Sequence, residues 1–242
     1  MLAHKLIDNL SPKFHDEIKC IMDSVKFDVG DFNDLFIDEK SFIRFINDGL
    51  VHLPYVDCFF ELTKLGDTAG ILATEDNTGI HGIAYGFDEY GFPGRHNVSF
   101  YFDFETQKIS AFNLNTGGFL NRWGDLDMSL GAAFVAVLYF CVVISCTNTK
   151  LIETNPSEKL NKKKIKSGKC PIFSYKTLVL SMNSVDKELH GNGSSHQSPR
   201  VHLRRGHIRR LNSGKMTWVQ ACVVGDKCRG VIMKDYQLAH GI

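Results

Sequence analysis

The sequence contains none of the short motifs that mark common enzyme classes. Gly-x-Ser-x-Gly, the phosphate-binding Gly-x4-Gly-Lys-Ser/Thr loop and His-Glu-x-x-His are all missing. Nothing in the chain is therefore typical of a serine hydrolase, a P-loop nucleotidase or a zinc peptidase. These gaps leave the question of an enzyme open but favour a protein without catalytic activity, and we expect no cofactor.

Paired cysteines are missing as well. The number of cysteines is odd and no two of them form Cys-x-x-Cys; the seven are Cys20, Cys58, Cys141, Cys146, Cys170, Cys222 and Cys228. Met1 is not followed by a basic segment, an apolar segment and a cleavage site, so we expect no secretory signal. Without a disulfide framework or a signal, the sequence predicts a protein of a reducing cytoplasm.

Two histidines and two cysteines near the C-terminal end have side chains that could bind zinc, but their spacing argues against a zinc site. His202 and His207 could join Cys222 and Cys228, but five residues separate the two cysteines, more than the usual two to four. The two histidines also fall on opposite faces of a regular strand. We therefore predict no bound metal.

One uncharged stretch raises the question of a membrane helix. Residues 130–146 carry no charge over 17 positions, whereas a bilayer-spanning helix needs roughly 20 apolar residues. The residues directly before the stretch, 124–129, include Asp125 and Asp127 but no Trp, Arg or Lys. We interpret it as a helix of about residues 128–147 that is buried on all sides, and expect no membrane partner.

Charge is divided unevenly along the chain. Residues 150–242 hold 18 of the 28 Lys and Arg but 6 of the 27 Asp and Glu, a net charge of +12 that leaves −11 for residues 1–149. Such asymmetry is typical of proteins whose basic part binds nucleic acid or another anionic surface. Attraction between the two halves within one compact unit is the alternative interpretation.

The pattern predicts an α+β protein in which an antiparallel sheet packs on the long apolar helix. Short segments rich in β-branched and aromatic residues, separated by Gly, Asp and Asn, indicate a meander. The predicted strands are residues 58–62, 70–73, 79–87, 98–102, 109–112, 175–182, 200–211, 216–224 and 230–238. Helices are predicted from Ser11 and over Glu39–Asn47. Residues 1–149 form an acidic scaffold, and residues 150–242 form a basic module with a helix and a C-terminal hairpin, packed together as one compact unit.

The basic module concentrates its cations in two places. Residues 159–169 contain six lysines and predict a short, weakly amphipathic helix that ends at Gly168. Residues 202–210 (His-Leu-Arg-Arg-Gly-His-Ile-Arg-Arg) predict a strand with cations on both faces, followed across a turn by Trp218. Arginine can bind phosphate through two hydrogen bonds, lysine adds salt-sensitive attraction, and Trp218 or Tyr236 offers a stacking surface.

The residues assigned to a nucleic-acid or partner interface are Lys162, Lys163, Lys164, Lys166, Arg204, Arg205, His207, Arg209, Arg210 and Trp218. Pairing with the acidic half, or a plain solvated face in the case of the lysines, is the alternative. Four residues could take part in proton transfer, namely Glu61, His81, Asp103 and His207, the last of which also belongs to the interface set. Glu61 lies in an apolar segment where burial would suit it to acid–base work, but pairing with an arginine is the simpler interpretation. No catalytic residue is assigned.

Three groups of residues resemble a family of bacteriophage-encoded proteins to which no catalytic role is assigned. They are Leu53-Pro54-Tyr55 leading into Phe59-Phe60-Glu61, the lysine run of residues 159–169 with Pro171 and Tyr175, and Arg205-Gly206-His207-Ile208-Arg209 with Trp218. The family ends in an Arg-Gly-His-x-Arg basic hairpin followed by a Gly and a Tyr-containing strand, here Gly230 and Tyr236. The resemblance spans residues 53–238 in short matches and implies a small non-structural phage protein that acts in the host cytoplasm.

These observations lead to three hypotheses. The first is a phage accessory protein that binds nucleic acid during replication or expression. The second is a protein-binding inhibitor of a host nuclease or antiviral defence complex, with either the acidic or the basic half as the contact. The third is a metal-dependent nuclease, for which the sequence shows no carboxylate cluster. The expected partner is therefore nucleic acid or a host protein complex.

Overall fold

The computed structural model describes residues 2–31, 39–64, 67–88, 90–116, 128–180, 200–204, 207–219, 222–224 and 226–231. Its helices are α1 (Ala3–Asn9), α2 (His15–Asp23), α3 (Glu39–Asn47), α4 (Met128–Ile144) and α5 (Glu158–Lys166), with a 3-10 helix at Pro12–Phe14. The first eight strands are β1 (Val25–Asp31), β2 (Asp57–Lys64), β3 (Asp67–Glu75), β4 (Gly79–Phe87), β5 (Pro93–Asp103), β6 (Ile109–Asn113), β7 (Thr149–Thr154) and β8 (Tyr175–Leu180). Five more follow: β9 (Arg200–Arg204), β10 (His207–Arg210), β11 (Met216–Val219), β12 (Cys222–Val224) and β13 (Asp226–Val231).

The protein is a mixed α+β fold built on one large sheet. Its eight strands are ordered β6-β5-β4-β3-β2-β1-β8-β7. The predicted meander is confirmed, because β2 to β6 pair in sequence order and antiparallel. The expectation of a purely antiparallel sheet is wrong, because β1 runs parallel to both β2 and β8. Parallel neighbours need a crossover connection, and between β1 and β2 the chain passes through α3.

Both faces of this sheet are covered, which gives three layers. Along β2, Cys58, Phe60 and Leu62 belong to one buried cluster with α3 and α4. Phe59, whose side chain points to the opposite face, belongs to a second buried cluster with α1 and α2. The near-continuous apolar run of β2 follows from this, since a strand covered on both faces has no polar side.

Helix α4 occupies the uncharged stretch and packs in the larger cluster. Phe134, Val137 and Phe140 are fully buried there, as a helix that is apolar all round requires. Its close approach to the sheet depends on Gly82 of β4, because a Cβ atom at that position would lie 2.6 Å from the ring of Phe134. Among the described residues, no helix combines the length and the apolarity needed to cross a bilayer.

The helix predicted from Ser11 is confirmed, and a further helix that was not predicted, α1, precedes it in the N-terminal layer. Ser11 is extended, with ψ of 143°, and Pro12 opens the 3-10 helix that leads into α2. The residue before a proline is driven out of the helical region, so α1 and α2 are separate. Glu17 of α2 ties this layer to the sheet by accepting a 2.8 Å hydrogen bond from Tyr85 and pairing with Arg95 at 2.8 Å.

The predicted C-terminal strand of residues 200–211 appears as two strands in separate small sheets. β10 pairs with β11, whereas β9 pairs with β12 and β13. The β10–β11 and β9–β12 ladders keep one register, since His207 faces Val219 and Arg204 faces Cys222.

Candidate nucleic-acid interface

Helix α5 is held to the rest of the protein by its inner side. The side chain of Asn161 donates to the carbonyl of Ile172 at 2.9 Å and accepts from the backbone N–H of Ile172 at 2.8 Å. The ammonium of Lys164 lies 3.5 Å from the carbonyl of Cys170, whose own N–H donates to Asp8 of α1. These contacts fix which side of α5 faces outward.

Four exposed lysines lie on the opposite side and are called the lysine stripe: Lys159, Lys162, Lys163 and Lys166. Their spacing of i, i+3, i+4 and i+7 places them on one helix face, over about 10 Å of helix length. Together with Glu158 they line an open surface groove. The pair between Lys162 and Glu158 is 3.5 Å long, with side chains 75% and 88% exposed, so solvent screens it and it neutralises little.

The side of α5 that faces the protein is not formed by its apolar side chains. Leu160 and Ile165 are 45% and 60% exposed. Asn161 and Lys164 form the inner side instead. Lys164, assigned to the interface, therefore points away from the stripe. Asn161 is the feature of the sequence that could have predicted this inner side. It is an amide within a run of lysines, and its side chain can both donate to and accept from a neighbouring backbone.

The second basic region is the arginine hairpin, defined as β10 and β11. Ile208 and Trp218 lie opposite each other across its ladder and are buried in the larger cluster. Asn148, which follows α4, is buried and bonds the backbone of Trp218 twice, donating to its carbonyl at 2.7 Å and accepting from its N–H at 2.8 Å. Trp218 is 8% exposed, so its ring anchors the hairpin and does not offer the expected stacking surface.

The arginines of this hairpin differ in their surroundings. Arg209 is exposed. Arg210 forms a 2.8 Å ion pair with Asp48, just after α3, with the two side chains 41% and 36% exposed. This contact is a pairing between the basic and acidic halves of the chain, as the alternative interpretation expected. Arg205, Tyr236 and the side chains of Arg204 and His207 lie outside the described residues.

The lysine stripe and the arginine hairpin lie near opposite ends of strand β7. Thr147 and Asn148, just before β7, hydrogen-bond to Met216 and Trp218 of the hairpin. Helix α5 follows the other end of β7, after Thr154. Six residues of strand span about 20 Å, so the two basic regions are separate surfaces.

The three described candidates for proton transfer have local structural roles. Glu61 accepts hydrogen bonds from the backbone N–H of Leu2 and, at 3.0 Å, from the hydroxyl of Tyr175, which joins α1 to β2 and β8. His81 contacts Asp76 at 3.1 Å. Asp103 accepts the backbone N–H groups of Glu105 and Thr106 in the turn after β5, and these bonds lower the pKa of its carboxyl. The structure does not gather them into one site.

Within the described part of the chain, no group of three or more His, Cys, Asp or Glu could hold a metal ion. Comparisons with protein-family models, with curated proteins and with solved structures give no match. The exposed lysine stripe is therefore the surface on which a functional interpretation can be built.

Proposed function

We propose that this protein is a phage accessory protein that binds nucleic acid in the cytoplasm of the infected cell. The lysine stripe makes the main contact, and the arginine hairpin adds a second, weaker one. In this arrangement the large sheet packed on the long apolar helix α4 is the scaffold, and the basic C-terminal hairpin is attached to it by Trp218 and Asn148.

The observation that carries the proposal is the orientation of α5. Four ammonium groups face solvent on one helix side, while the opposite side is held by Asn161. Lysines aligned in this way attract phosphates without reading sequence, and each neutralised phosphate releases counterions. A solvated helix with no partner would need no such alignment, since lysines can then occupy any exposed position.

The surroundings of the stripe favour duplex over single-stranded nucleic acid. Proteins that bind single strands combine cations with exposed aromatic rings on which bases stack. The exposed apolar side chains beside the stripe are Leu160 and Ile165, which provide no ring, and Trp218 is buried. We expect contacts to the phosphate backbone of a duplex. The distance of about 20 Å between the two basic regions corresponds to about six base pairs.

The test is the affinity for a labelled duplex of about two helical turns, measured by fluorescence anisotropy over a salt series. Simultaneous alanine substitution of Lys159, Lys162, Lys163 and Lys166 should weaken binding about 100-fold at low salt and flatten the salt dependence by about three to four phosphates. The matched control removes the same charge from exposed lysines elsewhere, namely Lys5, Lys13, Lys19 and Lys108, and should change the affinity less than about threefold.

Two outcomes would sink the proposal. The wild-type protein could fail to bind either a duplex or a single strand at low salt. Alternatively, the two fourfold variants could weaken binding equally, which would show that net charge acts and the stripe does not. A stronger affinity for a single strand than for the duplex would contradict the preference for duplex alone.

A second candidate function, inhibition of a host nuclease or defence complex by protein binding, is favoured by the turn between β4 and β5. Tyr90 and Phe92 are 77% and 64% exposed there. Asp88 holds both in place by accepting their backbone N–H groups at 2.9 and 2.8 Å, and Gly91 supplies the positive φ that the turn needs. Exposed aromatic side chains on an ordered turn are typical anchors in protein interfaces.

This second function predicts a stoichiometric host protein in a pull-down from nuclease-treated lysate. Replacing Tyr90 and Phe92 by serine should abolish that capture while leaving the duplex affinity within about twofold, because the substituted positions carry no charge. Equal capture by the wild type and the double variant would remove this turn as the contact. Recovery of no stoichiometric partner would count against inhibition by protein binding.

A further inference from the structure

A small pocket lies between the end of α3 and the turn that joins β5 to β6. Its volume is about 120 Å³. Buried or partly buried apolar side chains form its base, and Gly49, His52 and Gln107 lie at its rim. The apolar lining residues are Ile46, Val51, Phe102 and Phe104. An apolar base with a few polar groups at the rim is typical of a small-molecule site.

His52 is held in one tautomer at this rim. Its Nδ1 lies 2.8 Å from Oε1 of Glu75, and Oε2 of Glu75 accepts the backbone N–H of Leu53. A carboxylate oxygen accepts the hydrogen bond, so Nδ1 of His52 donates it. In the neutral form of the imidazole with its proton on Nδ1, Nε2 is an acceptor. The ring of Phe104 lies 4.9 Å from that of His52, which supports the imidazole from one side.

Gln107 reaches the rim from a strained backbone position. Its φ is +57°, and within the described ranges it is the one residue other than glycine with positive φ. Its N–H donates to the carbonyl of Asp103 at 2.8 Å, which closes the turn. A glycine would adopt this conformation without strain. What the glutamine adds over glycine is a side chain, at a residue that lines the pocket. Strained residues of this kind cluster at functional sites.

We propose that this pocket binds a small aromatic or similarly compact apolar group that carries one hydroxyl. The hydroxyl donates to Nε2 of His52 and accepts from the side-chain amide of Gln107. Because a cavity of about 150 Å³ accommodates benzene, a pocket of 120 Å³ has room for no more than a single six-membered ring. This proposal does not depend on the nucleic-acid binding proposed for the lysine stripe.

The test uses phenol and toluene, which have nearly the same shape but differ in the hydroxyl. Each is titrated into the full-length protein and followed by amide shifts in two-dimensional NMR. Phenol should shift the amides of Val51, His52 and Gln107 and bind at least about tenfold more tightly than toluene, as the two hydrogen bonds of its hydroxyl allow. Equal affinity for the two compounds, or shifts that lie elsewhere, would overturn the proposal.

Two variants separate the roles at the rim. His52→Phe keeps a ring beside Phe104 and should reduce the phenol affinity about tenfold while leaving toluene within about twofold. Gln107→Gly should weaken phenol binding about fivefold without lowering the melting temperature, because the turn then loses its strain. A lower melting temperature with unchanged phenol binding would make Gln107 a structural residue and remove it from the site.

Discussion

The lysine stripe and the arginine hairpin are each held by an asparagine that makes the same two hydrogen bonds, but the two regions differ in how many of their cations face solvent. In each region an asparagine bonds both backbone groups of one residue, Asn161 with Ile172 and Asn148 with Trp218. Behind the stripe this anchor is half-buried and leaves four lysines in solvent. At the hairpin it is buried, Trp218 is buried with it, and Arg210 is engaged by Asp48.

The difference shows that a density of cations does not by itself define a binding surface. A cation can bind a partner strongly only if no carboxylate of its own chain already neutralises it. By this criterion the stripe is the stronger candidate, although the hairpin carries the arginines that form bidentate phosphate contacts. The following changes test this comparison, and one extends it to a buried lysine outside both regions.

Trp218→Ala should have the largest effect, because it empties the core beneath the hairpin. We expect a loss of about 3–5 kcal/mol in the free energy of unfolding, measured by urea denaturation. Arg209→Ala on the same hairpin should change it by less than about 0.5 kcal/mol. The indole N–H finds no acceptor among the described residues, so Trp218→Phe should cost clearly less than Trp218→Ala. Similar losses for Trp218→Ala and Arg209→Ala would show that the hairpin is not anchored in the core.

Alanine substitution of the hairpin asparagine should lower the free energy of unfolding more than substitution of the asparagine behind the stripe. Asn148→Ala leaves the N–H and the carbonyl of Trp218 unsatisfied in a buried place and should cost about 2–3 kcal/mol. Asn161→Ala exposes the corresponding groups of Ile172 partly to water and should cost about 1 kcal/mol. Chemical denaturation gives both values, and circular dichroism reports any loss of α5. An equal cost would mean that the two anchors are equally buried in solution.

Lys26 of β1 belongs to neither basic region and has almost no exposed surface. It is 4% exposed, donates to the carbonyls of Met22 and Ser24 at 2.7 and 2.6 Å, and lies 4.1 Å from the ring centre of Phe173. Burial lowers the pKa of its ammonium from 10.5 to about 8. The unfolded chain therefore holds this proton to higher pH than the folded protein does.

The folded protein should accordingly gain stability from Lys26 as the pH rises from about 8 towards 10.5, and the penalty should be fully present below pH 8. Between pH 7 and 9 the gain is on the order of 1 kcal/mol. Comparison with Lys26→Met isolates this contribution from the cysteines and tyrosines that titrate at higher pH. If the difference in the free energy of unfolding between the wild type and Lys26→Met stays constant from about pH 7 to 9, the ammonium of Lys26 is solvated in the folded protein.

Asp48→Asn should lower the free energy of unfolding by less than about 1 kcal/mol, because its ion pair with Arg210 is partly exposed. Its interest lies in binding. Releasing Arg210 should raise the duplex affinity about twofold to threefold and steepen the salt dependence by about one phosphate. The same anisotropy titration measures both, and an unchanged salt dependence would exclude Arg210 from the contact.

The sequence predicted the parts of the fold in which local pattern and tertiary environment agree. The meander and α3 have alternating or helical apolar spacing, and the structure confirms their positions. Strands β1 and β7 were not predicted. β1 contains Gly30 and a bulge between Asp28 and Gly30, and β7 is an edge strand with little buried surface, so neither shows a clean period of two. The buried state of Trp218 and the pairing of Arg210 depend on residues far away in the sequence, which no local pattern encodes.

The position of β1 has a consequence for how the protein is made. Phe27 of β1 pairs with Lys176 of β8, 149 positions later in the chain. At about 5–20 residues per second, a ribosome needs roughly 7–30 s to synthesise the intervening segment. During that interval one edge of β1 has no strand to pair with, and such an edge can join the wrong chain. Yield in the cell should thus depend on translation speed between β1 and β8.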